Sequence, residues 1–156
     1  MTFRIRGLSP DPFRHLFGRD EAALAVHGVR RMHVDESPGY PDRIGMAEVP
    51  AGETVLLLNH VSLDAASPYR ASHAIFIREG AEETYDRVGE VPEVLRRRLL
   101  SLRGFDAAGM MVDADIVEGT EVEGLIRRLL ANPAITMVHA HYARRGCYAG
   151  LITRAA

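Results

Sequence analysis

The alternation of apolar and polar residues along the chain predicts a series of short strands. Near the start, Phe3 and Ile5 alternate with arginines, which is the period of a half-buried strand. Val55-Leu56-Leu57-Leu58 is a continuous apolar run, typical of a central position in a sheet, and it predicts a strand over 53–59. The same reasoning predicts further strands over 29–34, 43–46 and 73–78, a hairpin around 106–109, and a final hairpin that pairs 134–142 with 147–153.

A spacing of three to four residues between apolar positions predicts four helices. The first begins after Ser9-Pro10, the second begins near Asp20 and ends at Gly28, and the third begins at Pro92. Their apolar faces are predicted to carry Phe13, Leu16 and Phe17, then Leu24 and Val26, and then Val94, Leu95, Leu99 and Leu102.

The fourth helix, over 120–131, has the clearest pattern. Thr120 and Glu123 form a capping box at its start, and Asn132-Pro133 ends it. Its single apolar stripe consists of Val122, Leu125, Ile126, Leu129 and Leu130. Because strands mostly follow one another instead of alternating with helices, the pattern indicates an α+β fold with three to four helices packed on a largely antiparallel or mixed sheet. We expect one domain over residues 1–156.

The composition excludes several chemistries. All 19 basic residues are arginine and lysine is absent, which excludes a Walker-type phosphate loop, a pyridoxal Schiff base and every lysine nucleophile. Cys147 is the one cysteine, so an internal disulfide and a multi-cysteine zinc or iron–sulfur site are excluded as well.

Charge and hydropathy argue against two classes of partner. The formal net charge is −2 and the charged residues are interleaved, so there is no broad field to hold nucleic acid or an anionic membrane. No apolar run approaches the roughly 18–20 residues that a membrane span needs, and the N-terminus lacks the apolar region of a signal peptide. We therefore expect a cytoplasmic protein that binds neither nucleic acid nor a membrane.

Reactive side chains are densest on the predicted C-terminal hairpin, which carries His139, His141 and Cys147. The two histidines are two residues apart on a strand, so they point to the same face. If that face lines a cleft, either imidazole can deprotonate the Cys147 thiol across the turn and form a catalytic cysteine–histidine site. The alternative is a buried or half-buried, inert cysteine beside two surface histidines. The pairing register of the hairpin decides between these interpretations.

Three further groups of residues are candidates for binding. Asn59 and His60, together with the hairpin residues, are an alternative zinc site, although nothing in the spacing fixes a third ligand and no cofactor is predicted. Tyr69 and Arg70 lie in a loop beside a strand, where an arginine can clamp the carboxylate or phosphate of a small anionic molecule, or else face solvent. Asp113 and Asp115 share a strand face. They are either a carboxylate pair for acid–base chemistry or for binding a hard cation, or the solvated face of that strand.

Three segments resemble a family of bacterial proteins, the domain-of-unknown-function family 1203. They are SPYRASHAIF at 67–76, LRGFDAAGMMVDA at 102–114 and HAHYARRGCY at 139–148. The resemblance runs nearly from end to end, and it implies no activity, cofactor or catalytic residue. Many members of that family carry a cysteine in the loop where this chain has Pro41-Asp42-Arg43, so a two-cysteine mechanism is not carried over to this chain.

Two functions therefore remain open at the level of sequence. The first is a small-ligand-binding or interaction domain that uses the arginine-bearing loop or an exposed sheet edge. A homodimer is one form of this hypothesis. The second is a small-molecule enzyme that combines Cys147, His139 and His141 with Arg70 and His60. The binding domain is the preferred interpretation, because none of these groups has the specificity of a known catalytic motif.

Overall fold

Nine strands form two antiparallel sheets in the part of the chain that the structure describes, which is residues 2–155 of this computed structural model. In chain order the strands are β1 (Thr2–Arg6), β2 (Arg30–His33), β3 (Thr54–Leu63), β4 (Ala71–Arg78), β5 (Asp86–Val88), β6 (Leu99–Phe105), β7 (Met111–Glu118), β8 (Met137–Tyr142) and β9 (Tyr148–Ala155). The larger sheet has the order β5-β1-β9-β8-β6-β7, and the smaller sheet has the order β2-β3-β4. The prediction of an α+β fold on antiparallel strands is confirmed, but its division into two sheets was not predicted.

The helices are short. They are α1 (Glu21–Val26), α2 (Glu93–Arg96), α3 (Val122–Leu130) and two 3₁₀ helices, Asp11–Leu16 and Gly119–Glu121. Within residues 2–155, none of them is long and apolar enough to cross a membrane. Leu24 lies on the buried face of α1 as predicted, but the prediction that Val26 shares this face is wrong, because Val26 is the last residue of the helix and is 82% exposed.

The helix α3 covers one face of the larger sheet. All five residues of its predicted apolar stripe are buried, and they pack against sheet residues that include Ile5, Leu102 and Val138. The predicted capping box is wrong. The N-cap is Glu121, whose side chain accepts no capping hydrogen bond from the helix backbone. The Glu123 carboxylate pairs with Arg96 instead.

The helix predicted from Pro92 ends much earlier than expected. It covers only Glu93–Arg96, and Leu99 and Leu102 belong to β6. The strand β6 pairs on one edge with β7, the next strand in the chain, and on the other edge with β8, farther along the chain. Strand pairing therefore satisfies the backbone hydrogen bonds on both edges. The apolar spacing that suggested a helix is also compatible with a strand that buries Leu100 and Leu102 on one face.

The segment 43–46 is a buried loop, and the strand predicted there is wrong. The Asp42 carboxylate accepts hydrogen bonds from the backbone N–H groups of Ile44 at 3.1 Å, Gly45 at 2.7 Å and Arg78 at 2.9 Å. A carboxylate that binds nearby backbone N–H groups in this way competes with strand pairing. The loop therefore turns, and it holds Arg43 between the two sheets.

The smaller sheet has its own apolar core. Buried residues of β3 and β4, including Leu56, Leu58 and Ile77, pack against the first 3₁₀ helix and α1. In both strands, residues at alternate positions share a face. The face that carries Leu56 and Leu58 therefore carries His60 next, and this end of the small sheet meets the larger one.

Candidate functional site

His139 and His141 lie on the face of the larger sheet opposite α3. Their neighbours in β8, Val138 and Ala140, are part of the core under α3, so the alternate residues point to the other side. There the small sheet covers them, and the two histidines are only 4% and 2% exposed. They are not surface histidines, which was one of the two interpretations left open by the sequence.

Two more histidines come from the small sheet. His60 and His73 are paired directly across β3 and β4. The His73 ring lies 4.9 Å from the His141 ring, and the His60 ring lies 6.0 Å from the ring of Tyr148. Tyr148 also contacts His139 at 5.2 Å between ring centroids. We call the four histidines His60, His73, His139 and His141 the histidine cluster, and Tyr148 lies at its centre.

Burial controls the protonation of this cluster. Desolvation is the main cause that lowers the pKa of His139 to about 4 and the pKa of His141 to about 3, and the charges of Arg103 and of neighbouring histidines contribute to both values. The Gly146 carbonyl, which lies 2.9 Å from His141 Nδ1, acts in the opposite direction. Burial also lowers the pKa of His60 and of His73. The cluster is therefore neutral near pH 7.

Of the remaining ligand-binding candidates from the sequence, one lies at the edge of the histidine cluster and two lie outside it. Tyr69 lies at its edge, because its ring contacts Phe105 at 6.4 Å and Phe105 contacts His139 at 5.2 Å. Arg70 is exposed and pairs with Asp64 at 3.2 Å, so it does not join the cluster. Asn59 is exposed and, as the neighbour of His60 in β3, points to the other face of the strand.

Cys147 lies in a different environment from the histidines. Its half-buried thiol packs against the core under α3. Its Sγ accepts a hydrogen bond from Arg43 Nη2 at 3.0 Å. Among the described residues, no hydrogen bond joins Cys147 to His139 or His141. The structure thus does not bring the three proposed catalytic residues together in one site.

Arg43 is held rigidly beside the cysteine. Its Nε donates to the Tyr148 carbonyl at 2.9 Å and its Nη1 donates to the Pro41 carbonyl at 2.7 Å. The side chain is only 2% exposed, yet no carboxylate within residues 2–155 forms an ion pair with it. A buried cation without a countercharge is costly unless another group neutralises it. Sequence analysis missed Arg43, because nothing in the local pattern indicates that this loop is buried.

A cavity of about 630 Å³ opens beside Cys147 and Arg43. Its lining contains five arginines and two glutamates, namely Arg43, Arg97, Arg98, Arg144, Arg145, Glu36 and Glu118. The Tyr142 ring forms one wall, with the guanidinium carbons of Arg43 and Arg98 at 4.9 Å and 5.0 Å from its centroid. Burial raises the pKa of Tyr142 to about 12. We call this space the arginine cavity.

The arginines of the cavity differ in how far they are neutralised. Arg98 pairs with Glu48 at 2.5 Å, and Arg97 lies 3.6 Å from Glu93. Arg144 and Arg145 are exposed, and in the described part of the chain neither forms an ion pair or a side-chain hydrogen bond. Three lining arginines, Arg43, Arg144 and Arg145, therefore have no ion pair in the described part of the chain, against the two lining glutamates.

The remaining candidates do not form metal sites. Within residues 2–155, no group of three or more His, Cys, Asp or Glu side chains is placed to hold a metal ion. Asp113 and Asp115 are exposed, and each carboxylate accepts a hydrogen bond from the next backbone N–H at 2.8 Å. Asp115 also pairs with Arg128 at 2.9 Å. This is the solvated face that the sequence left open as an alternative.

Comparison with known proteins gives a family but no activity. A family model described as a protein of unknown function (DUF1203) matches residues 39–154. No curated protein and no solved structure matches the chain. The histidine cluster, Arg43 and Cys147 all lie inside the matched range, and the resemblance stated from the sequence is confirmed.

Proposed function

We propose that this chain binds a small anionic molecule in the arginine cavity. The chain belongs to the DUF1203 family, because the family model matches more than half of its length. The observation that carries the proposal is the unbalanced charge of that cavity. Arg97 and Arg98 are paired with glutamates outside the lining, which leaves three arginines against the two lining glutamates. The most buried of the three, Arg43, has no carboxylate partner among residues 2–155. An anionic group of the ligand supplies the missing countercharge.

The size and the walls of the cavity define the class of ligand further. A volume of about 630 Å³ lies within the roughly 300–1,000 Å³ that is usual for small-molecule sites. Tyr40, Phe76 and Tyr142 contribute aromatic walls, and such walls favour a ligand with a flat or apolar body. Arginine side chains bind carboxylate, phosphate and sulfonate groups through forked hydrogen bonds. The ligand is therefore an apolar or aromatic molecule with one or more oxyanion groups.

Calorimetric titration with 1-anilinonaphthalene-8-sulfonate tests this proposal, with neutral 1-anilinonaphthalene as the uncharged comparison. We expect one sulfonate molecule to bind per chain and the neutral compound to bind at least about fivefold more weakly, because it lacks the charge-assisted contacts. The double variant R144A/R145A should weaken sulfonate binding by about fivefold to tenfold, since these two arginines are exposed and partly screened.

The matched control is R127A/R128A, which removes two adjacent arginines on α3 that do not line the cavity. It should leave the affinity for the sulfonate within about twofold of the wild type, because charges outside the cavity are screened. Equal binding of the sulfonate and the neutral compound, or equal losses in both double variants, would show that the cavity does not recognise the anionic group.

A second candidate function is thiol chemistry on the bound anion. It is favoured by the hydrogen bond from Arg43 Nη2 to Cys147 Sγ, which places a nucleophilic atom at the cavity wall. Incubation with p-nitrophenyl acetate followed by intact-mass analysis tests it. A single acetyl adduct that forms on the wild type and is absent from Cys147→Ala supports the candidate, and an unmodified wild-type chain counts against it.

A further inference from the structure

The histidine cluster collects basic groups and no acidic ones. Arg103 of β6 is the register partner of His139, and its positive charge is among the causes that lower the pKa values of His73, His139 and His141. From the other elements, His60, His73 and Tyr148 face the cluster, and Arg6 of β1 acts on Tyr148. No carboxylate is among the causes that shift the pKa of any of the four histidines.

Arg103 is poorly satisfied for a partly buried guanidinium. Its one side-chain hydrogen bond within residues 2–155 is a long contact of 3.4 Å from Nε to Ser101 Oγ. No carboxylate in the described part of the chain lies within ion-pair distance of it, and burial lowers its pKa. A guanidinium has five N–H donors, so most of the hydrogen-bonding capacity of Arg103 is unused by the protein.

His139 has unused capacity in the same place. The side chain is 4% exposed, yet its ring nitrogens make no hydrogen bond to any described residue. Buried polar groups are normally hydrogen-bonded, and a small ligand that accepts hydrogen bonds satisfies both His139 and Arg103.

We propose that the histidine cluster is a second binding site, for a small oxyanion such as a phosphate or a carboxylate, which accepts hydrogen bonds from Arg103 and from the imidazoles of His73 and His139. An anion fits this site better than a metal ion for two reasons. A cation would lie against Arg103, and the side chains are not placed as a ligand set. The site is on the opposite side of β8 from the core that contains Tyr142 and Cys147, so it is separate from the arginine cavity.

Anion binding here is coupled to proton uptake. Each histidine resists protonation because it is buried among other basic groups, and a bound anion removes part of that cost. The affinity for the anion therefore increases as the pH falls from 7 toward 5. Protonation also turns each imidazole into a donor at both ring nitrogens.

NMR of the histidine Cε1–Hε1 groups tests the proposal within one sample. The chain has seven histidines, and His15, His27 and His33 are exposed on the surface and serve as internal controls. Inorganic phosphate and, separately, sodium acetate are titrated at pH 6 with the ionic strength held constant by sodium chloride. We expect saturable shifts of the four cluster resonances, with no saturable shift of the three surface ones. Saturation by phosphate alone assigns a tetrahedral anion, and saturation by both assigns a site that also accepts carboxylates.

The variant Arg103→Met is expected to weaken binding by about tenfold or more, because it removes the charge-assisted donors. R144A/R145A should leave these shifts unchanged, which distinguishes this site from the arginine cavity. If R103M does not give a folded spectrum, Arg103→Lys replaces it and should also weaken phosphate binding, since lysine lacks the fork. Cluster resonances that do not move in the wild type, or equal affinity in the Arg103 variant, would overturn the proposal.

Discussion

Arg43, Arg103 and His139 share an unusual condition at the scale of single residues. Each is buried or half-buried, and in the described part of the chain none has a carboxylate as its partner. Arg43 is satisfied by two carbonyls and a sulfur, whereas Arg103 and His139 are left with free donors. Because desolvated positive charge is costly, these residues are the reason why we propose anions as the ligands of both sites.

The histidine cluster makes stability depend on pH in a defined window. His139 and His141 titrate near pH 4 and pH 3 in the folded state, against about 6.5 in the unfolded chain. Between these values the unfolded state binds more protons, so stability is complete above about pH 6.5 and is lost as the pH falls. Each histidine contributes up to about 1.4 kcal/mol per pH unit to this slope.

We predict that His139→Asn makes the slope of unfolding free energy against pH shallower by about 1 kcal/mol per unit between pH 6.5 and 5. Urea denaturation at several pH values measures it, and the window lies above the range in which ordinary carboxylates titrate. His27→Asn, at an exposed position, should keep the wild-type slope. A slope in His139→Asn that matches the wild type would mean that His139 is not held neutral by burial.

At the scale of elements, the loop 42–46 forms hydrogen bonds with strands of both sheets and thereby places Arg43. The backbone N–H of Leu8 donates to the Arg43 carbonyl at 2.8 Å, and the chain passes this loop very closely at Gly7. A Cβ added to Gly7 would lie 2.2 Å from the Ile44 carbonyl oxygen and 2.8 Å from the Arg43 carbonyl oxygen. Only glycine permits this approach, and the contact fixes the position of the loop that carries Arg43.

We predict that Gly7→Ala destabilises the protein by about 1–3 kcal/mol, because the loop must move to admit the methyl group. It should also change the rate at which Cys147 reacts with iodoacetamide, since Arg43 moves with the loop. The same substitution at Gly124 in α3 is the control. A Cβ there meets no atom within 4 Å, and alanine should stabilise the helix by about 0.5–1 kcal/mol. Urea denaturation measures the free energy of unfolding of both variants. A Gly7→Ala variant as stable as the wild type would mean that the loop does not depend on this close approach.

Elements that depend on local sequence were predictable, and those that depend on distant partners were not. All apolar residues of α3 that face the core lie in one amphipathic segment, so the sequence predicts both the helix and its buried face. The apolar residues at 95, 99 and 102 satisfy helical spacing equally well, but pairing with β7 and β8 places Leu99 and Leu102 in a strand. The segment 43–46 likewise does not form the predicted strand, because the Asp42 carboxylate binds nearby backbone N–H groups and also the N–H of Arg78, which is 36 residues away.

At the scale of the whole molecule, the contact between the two sheets divides between two proposed sites the residues that the sequence placed in one. His139, His141 and Cys147 are neighbours on one hairpin, yet the alternation of the strands sends the histidines to one side and Cys147 to the other. The sequence located the hairpin correctly. It could not reveal His73 or Arg43 as partners, because strand register and loop burial arise only from the assembled sheets.

The charge of the arginine cavity is the central claim, and the alkylation of Cys147 measures it most directly. Cys147 is the sole cysteine of the chain, so every modification reports on this cavity. Iodoacetate is anionic and iodoacetamide is neutral, and both attack the same sulfur. The ratio of the iodoacetate rate constant to the iodoacetamide rate constant therefore depends on the electrostatic potential around the thiol. The intrinsic reactivity of the thiol affects both rate constants and drops out of the ratio.

We predict that this ratio, at low ionic strength, is at least about threefold higher for Cys147 than for N-acetylcysteine, because the arginines attract the anionic reagent. It should fall toward the reference value in R144A/R145A and in about 0.5 M sodium chloride, and remain high in R127A/R128A. A wild-type ratio equal to that of N-acetylcysteine would contradict the assignment of the cavity as an anion-binding site.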